Sequence, residues 1–160
     1  MKPDVKEDPE QDFEEFAKRW PDLFKKSQIS AFGVGRGWHD ILDILCGLIS
    51  CKVENEKATL AYALNHPGKT HYNINTLKDN VEKAIDDLPI ISDIKEKYGG
   101  LRIHIYGGSE EVDSYITFAE SMSSRVCEVC GSPGTSREGG WIKTLCDEHH
   151  AITNLLRGTV

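Results

Sequence analysis

No stretch of this 160-residue sequence comes near 18 consecutive apolar residues, so no segment reads as a membrane-spanning helix. The opening MKPDVKEDPEQ has no apolar run behind its charges, and a secretory signal is not expected. Positive charge is the scarcer sign: 19 Lys and Arg stand against 26 Asp and Glu, a formal net charge of −7. That balance argues against broad attraction to DNA, RNA or an anionic membrane. Apolar residues are sparse, at 39%, which suits one compact core under a well-solvated surface. There is no internal repeat and no low-complexity tract. The five cysteines are an odd number. They do not make a disulfide framework and fit a reducing cytoplasm.

What is present is periodicity. Residues 1–10 are charged, carry two prolines and read as a flexible tail. Phe13, Phe16 and Trp20 recur at helical spacing up to Pro21, and the residue before a proline avoids the helical region. The glycine-rich GVGRGW (33–38) leads into a second helix carrying Trp38, Ile41, Leu42, Leu45, Leu48 and Ile49 on one stripe. Residues 52–73 are ambiguous: 59–64 suits a strand or more helix, and NHPGKTHYN reads as loop. Thr76 and Asp79 fit a variant capping box for a third helix with Leu77, Val81, Ala84, Ile85 and Leu88 inward. After Pro89 the period becomes two. Ile90, Ile94 and Tyr98, then Leu101, Ile103 and Ile105, predict a hairpin joined by Gly99-Gly100. Ser109 caps a fourth helix over 110–123, with Val112, Tyr115, Ile116, Ala119 and Met122 inward. The order predicts an α+β fold: a helical N-terminal part packed on a small β-hairpin, with an appended C-terminal module. The expected division is a body over 1–124 and a module over 125–160 packed on it.

The module carries the chemistry. Cys127-x2-Cys130, fifteen residues, then Cys146-x2-His149 is the spacing of a tetrahedral zinc site with histidine as the last donor. Two intervening residues let a tight turn aim two thiolates at one ion, and Gly131 permits the backbone to fold beneath them. Gly139-Gly140 allow a turn, after which 141–145 reads as the returning strand of a hairpin. Cys146 then stands at a helix start, where Asp147 and Glu148 suit the dipole. Residues 147–157 read as helix with Ala151, Ile152 and Leu155 inward and Gly158 near the stop. His149, at i+3 from Cys146, has the usual geometry for the fourth ligand, and His150 at i+4 also reaches. Knuckle, hairpin and ligand pair at a helix start make a treble-clef or zinc-ribbon-like arrangement. Four protein ligands leave no open position, so one structural Zn²⁺ is expected rather than a catalytic one.

Other signals are weaker. PGKT at 67–70 lacks the glycine a phosphate loop needs, because position 63 is Ala63. Gly33, Gly35 and Gly37 are followed by Trp38 where a dinucleotide motif needs other spacing. Cys46 and Cys51 lie about 140° apart around one helix and read as core thiols. His39 and His104 are isolated, and no catalytic constellation stands out. Trp38 and Trp141 each follow glycines and read as structural anchors. Within 125–160, Arg125, Arg137, Lys143 and Arg157 are cancelled by Glu128, Glu138, Asp147 and Glu148. Nucleic-acid binding is therefore disfavoured, leaving only a small patch of Arg137, Lys143 and Trp141 for it.

Three segments in this order, GWHDILDILC (37–46), IKEKYGGLRIHI (94–105) and SSRVCEVCGSPG…GGWIKTLCDEHH (123–150), resemble a family of small, uncharacterised bacteriophage and prophage proteins. The resemblance covers roughly residues 30–150 and omits 52–73. It carries the ligand role onto Cys127, Cys130, Cys146 and His149. It implies origin rather than mechanism: a phage or prophage accessory protein in bacterial cytoplasm. The leading expectation is a zinc-stabilised, non-enzymatic protein that binds a host protein and inhibits a defence or regulatory complex. The alternatives are a nucleic-acid-binding regulator using the zinc hairpin and a nuclease on a treble-clef scaffold.

Overall fold

A computed structural model describes residues 8–68 and 71–157. Over these described residues it is α+β, with six helices and two small antiparallel sheets. Of the expected N-terminal tail, residues 1–7 lie outside the described residues. Asp8 instead caps helix α1 (Pro9–Arg19), its carboxylate accepting from the Gln11 amide at 3.2 Å. Proline at the first helical position costs no hydrogen bond there. The helix stops before Trp20-Pro21, and the short α2 (Pro21–Phe24) follows. Phe13, Phe16, Phe24 and Phe32 then meet edge to face, with ring centroids 5.2–6.0 Å apart, the geometry the ring quadrupole favours.

A 3-10 turn (Arg36–Trp38) opens α3 (His39–Asn65), which runs 27 residues, about 40 Å. Leu42, Leu45, Cys46, Ile49 and Val53 form its buried stripe. The ambiguous segment 59–64 is a continuation of this helix. Ala58, Leu60, Ala61, Ala63 and Leu64 are good helix formers, and the lone β-branched Thr59 returns its hydroxyl to the Asn55 carbonyl at 2.9 Å. Cys46 is buried as expected, but Cys51 is exposed, because it sits off that stripe. Of the NHPGKTHYN loop, residues 69 and 70 lie outside the described residues.

Helix α4 (Ile74–Asp86) starts earlier than the expected capping box. Asn73 caps it, its side chain accepting from the amides of Asn75 at 2.9 Å and Thr76 at 3.4 Å. The hairpin pairs β1 (Ile90–Lys97) with β2 (Gly100–Tyr106). The turn is Tyr98-Gly99, one residue before the expected pair. Both residues have positive φ, 54° and 75°, as a type I′ turn requires. An irregularity between Ile91 and Asp93 shifts the register. Ile91 and Ile94 are therefore the buried pair, while Ile90 is half-buried and Tyr98 exposed. Strict alternation could not have shown this bulge.

Both edges of the ribbon are occupied. Gly33 bridges β1, its amide donating to the Ile94 carbonyl while its own carbonyl accepts from Glu96. On β2, the Leu101 amide donates to Ser123 Oγ and the Ile103 amide to a Glu120 carboxylate oxygen, each at 2.9 Å. Both acceptors stand on α5 (Glu110–Ser123), capped by Ser109 as expected. Helix α3 packs against α4 and α5, and α5 against β2. Strands β3 (Thr135–Arg137) and β4 (Lys143–Leu145) form the second hairpin, and α6 (Asp147–Arg157) follows. Gly158 lies outside the described residues. Among the described residues, no helix is long and apolar enough to cross a membrane.

Candidate metal centre

Three local structures bring four donors together. In the first, the Gly131 amide donates to the Cys127 carbonyl at 2.9 Å, and the Cys127 amide donates to the Ser132 carbonyl at 2.8 Å. Gly131 takes φ 78° to close this turn. Both sulfurs of Cys127 and Cys130 then lie on one side of it. In the second, β3 and β4 pair with Thr135 opposite Leu145. The Glu128 amide donates to the Thr144 carbonyl at 3.0 Å, tying knuckle to hairpin. In the third, α6 begins directly after Cys146. The His150 amide donates to the Cys146 carbonyl at 2.9 Å, and the His149 amide donates to Cys146 Sγ at 3.5 Å.

Cys127, Cys130, Cys146 and His149 converge, with all four ligand atoms within 4.8 Å of one another. Cys130 Sγ and Cys146 Sγ are 3.8 Å apart. His149 Nδ1 lies 3.7 Å from Cys127 Sγ and 3.2 Å from Cys146 Sγ. His150 turns elsewhere, its Nε2 against Asn154 Nδ2 at 3.2 Å. Such a cluster can hold a metal ion. Burial pushes the Cys127 thiol up, against hydrogen bonds from backbone amides. Burial also pushes Cys130 up, but hydrogen bonds from Ser132 and the neighbouring thiols outweigh it and bring Cys130 down to about 6. One sulfur is thus readily a thiolate, the form that binds metal.

The knuckle rests on the body through glycines. The Gly37 amide donates to the Glu128 carbonyl at 2.9 Å. A Cβ on Gly37 would fall 2.1 Å from the Cys127 carbonyl oxygen, and one on Gly35 would fall 2.2 Å from that of Glu128. Backbone meets backbone here, with no room for a side chain. Trp38, fully buried, donates its indole N–H to the Val126 carbonyl at 2.8 Å. Opposite, Thr144 Oγ1 donates to the Gly99 carbonyl at 2.6 Å. The glycines of GVGRGW therefore serve close approach, which a sequence reading confined to phosphate motifs and helix starts overlooks. The alternate glycines Gly35 and Gly37 directly before Trp38 are the signal in the sequence, and neither takes a positive φ.

Several expectations for this region are corrected. Trp141 is 63% exposed rather than an anchor. The paired strand begins only at Lys143, which leaves Trp141 and Ile142 on the hairpin loop. Ala151, Ile152 and Leu155 of α6 are exposed; the element that the helix packs against is β4, whose three residues are too few to cover a helix of eleven. The basic patch is also consumed internally. Lys143 pairs with Glu128, itself buried. Arg137 pairs with Asp147 and donates to the Leu145 carbonyl at 3.2 Å. His104 is exposed on β2, and His39 packs its ring against Phe32. Comparison with protein-family models, with curated proteins and with solved structures finds no match.

Proposed function

We propose that the chain is a zinc-stabilised accessory protein of a phage or prophage that binds a host protein in bacterial cytoplasm and catalyses no reaction itself. The observation that carries the zinc part is the spacing of the donors. Tetrahedral zinc with Zn–S near 2.3 Å and Zn–N near 2.05 Å puts sulfurs about 3.8 Å apart and sulfur and nitrogen about 3.6 Å apart. Of the six donor separations, one sulfur pair stands at 3.8 Å and two sulfur–nitrogen pairs at 3.2 and 3.7 Å, with all four atoms within 4.8 Å of one another. Three cysteines and one histidine complete the coordination, so zinc has a structural role. Knuckle, short hairpin and ligand pair at a helix start support a treble-clef or zinc-ribbon-like reading of the module. Zinc would stabilise it by roughly 10–16 kcal/mol on the apparent scale of zinc-finger peptides.

A protein partner is favoured over nucleic acid by the ion pairs. Arg137 and Lys143, the cations on the hairpin, are held by Asp147 and Glu128. Each phosphate contact would have to break such a pair. The body carries a surplus of acid, with Asp79, Glu82, Glu110 and Glu111 exposed, which suits a basic protein surface. The test is titration with random duplex DNA across salt concentrations, beside affinity purification from the bacterial host. Binding of DNA no tighter than about 10⁻⁵ M at physiological salt, with one protein co-purifying in stoichiometric amount, is expected. Sub-micromolar DNA binding with a steep salt slope, lost in Arg137→Glu and Lys143→Glu, would overturn the reading.

A further inference from the structure

Helices α3 and α5 each bury one apolar stripe and present a second. On α3 this second stripe is Ile41, Ile44 and Leu48 beside the buried Leu45, and on α5 it is Tyr115, Phe118 and Met122 beside the buried Ala119. Both follow i, i+3, i+4, i+7, and together these eight side chains line one shallow cleft with no charged residue in it. Ile44 is 66% exposed, Leu48 42% and Phe118 65%.

The helices run antiparallel. Trp38, at the start of α3, bonds Val126 just past the end of α5, and Cys51, Lys52, Glu111 and Tyr115 line a neighbouring cleft at the other end. Each stripe is continued by one charge at either end. Asp40 lies four residues before Ile44, Lys52 four after Leu48, Glu111 four before Tyr115 and Arg125 three after Met122. All four are exposed, Lys52 in a surface pair with Asp87 at 3.4 Å and Glu111 accepting from the Tyr115 hydroxyl at 2.6 Å. At one end of the cleft stand Asp40 and Arg125, and at the other Lys52 and Glu111, so the signs alternate around its corners.

We propose that this α3–α5 face is the contact between two copies of the chain, related by a two-fold axis in the plane of the face. An apolar centre with alternating corner charges is complementary to itself. A two-fold axis across the helices sets Asp40 opposite the second copy's Lys52 and Glu111 opposite its Arg125. An axis along the helices sets Asp40 opposite Arg125 and Lys52 opposite Glu111. In both arrangements every acid meets a base, and isologous contacts need such self-complementarity. A foreign helix of predominantly one charge would meet two like charges in any placement. Four helices close around Ile44, Leu48, Phe118 and their counterparts, as in a bundle. None of the metal ligands lines this cleft, although Arg125 stands two residues before Cys127.

The test is sedimentation equilibrium on the full, metal-loaded chain at micromolar and higher concentrations. The expected mass is twice the 17.9 kDa of the chain. Phe118→Glu and, separately, Ile44→Glu should each give the single-chain mass while far-ultraviolet circular dichroism and metal content stay unchanged, since both side chains already face water. Asp40→Lys with Glu111→Lys sets like charges opposite each other in either arrangement and should weaken the dimer roughly tenfold. Adding Lys52→Asp and Arg125→Glu to that pair should restore it. A single-chain mass at every concentration would overturn the proposal, as would a dimer that survives both Phe118→Glu and Ile44→Glu. A lone chain that takes another protein's amphipathic helix into the cleft would overturn it too.

Discussion

Replacing Gly37 by alanine adds a single methyl group at the place where the body meets the metal knuckle. Gly37 has no positive φ, so the backbone itself accepts alanine, and any cost is steric. The new Cβ would stand 2.1 Å from the Cys127 carbonyl oxygen, 2.6 Å from the Gly131 nitrogen and 2.7 Å from the Glu128 carbonyl carbon. All three are backbone atoms that cannot rotate away. Non-bonded contacts are favourable only near 3.5 Å, so the knuckle must retreat by roughly 1 Å or more. That retreat stretches the 2.9 Å hydrogen bond from the Gly37 amide to Glu128. Overpacking costs about 1–3 kcal/mol and a lost hydrogen bond about 0.5–1.5 kcal/mol, together about 2–4 kcal/mol. For a chain of this size that is a fall of about 5–15 °C in Tm. Gly140 is the control, because a Cβ there meets nothing within 4 Å. The assay pairs thermal unfolding with release of metal to a chromogenic chelator. Gly37→Ala should melt earlier and release metal faster, and Gly140→Ala should do neither. A Gly37→Ala protein with unchanged Tm and metal release would refute the docking of the knuckle on this loop.

Trp38→Ala should cost about 3–5 kcal/mol, whereas Trp141→Ala, at an exposed loop position, should stay within about 0.5 kcal/mol; denaturant titration separates the two. Asn73→Ala removes the cap of α4 and should lower stability by about 1 kcal/mol by the same measure. In metal-free protein near neutral pH, iodoacetamide should label Cys130, brought down to about 6, before Cys127, whose thiol burial pushes up; peptide mapping reads the order. The folded-state value of Cys130 lies below its ordinary 9.0, so its contribution to metal-free stability is complete above about pH 9 and is lost as pH falls through about 6. Unfolding of the metal-free chain across that window should show the decline, and a rise on acidification would contradict it.

The parts legible in the sequence are those where local pattern and tertiary environment agree. Trp38, Leu42, Leu45 and Ile49 of the expected stripe are buried because they share the face that packs, whereas Ile41 is half-buried and Leu48 exposed at its edge. The two ligand pairs meet in one cluster because each spacing is set by a turn of its own. The failures come where distant backbone decides. The bulge after Ile91 rotates the inward set of β1, and no alternation rule anticipates an inserted residue. Tyr98 takes positive φ in the hairpin turn, a conformation more readily assigned to the glycines that follow it. Gly35 and Gly37 look like punctuation before a helix, yet what they exclude is the backbone of residues some 90 positions later. Trp141 and the apolar side of α6 suggest a core by composition, but both stay exposed, and the hairpin meets the body through Thr144, which bonds the Gly99 carbonyl.

The central claim is that three sulfurs and one nitrogen of this chain close around a single zinc ion. Zinc K-edge X-ray absorption on the purified protein measures that shell directly. One zinc per chain is expected, with three sulfurs near 2.3 Å, one nitrogen near 2.0–2.1 Å and no light-atom ligand from water. A protein isolated with no bound metal, or a shell holding fewer than three sulfurs and an added oxygen, would contradict it.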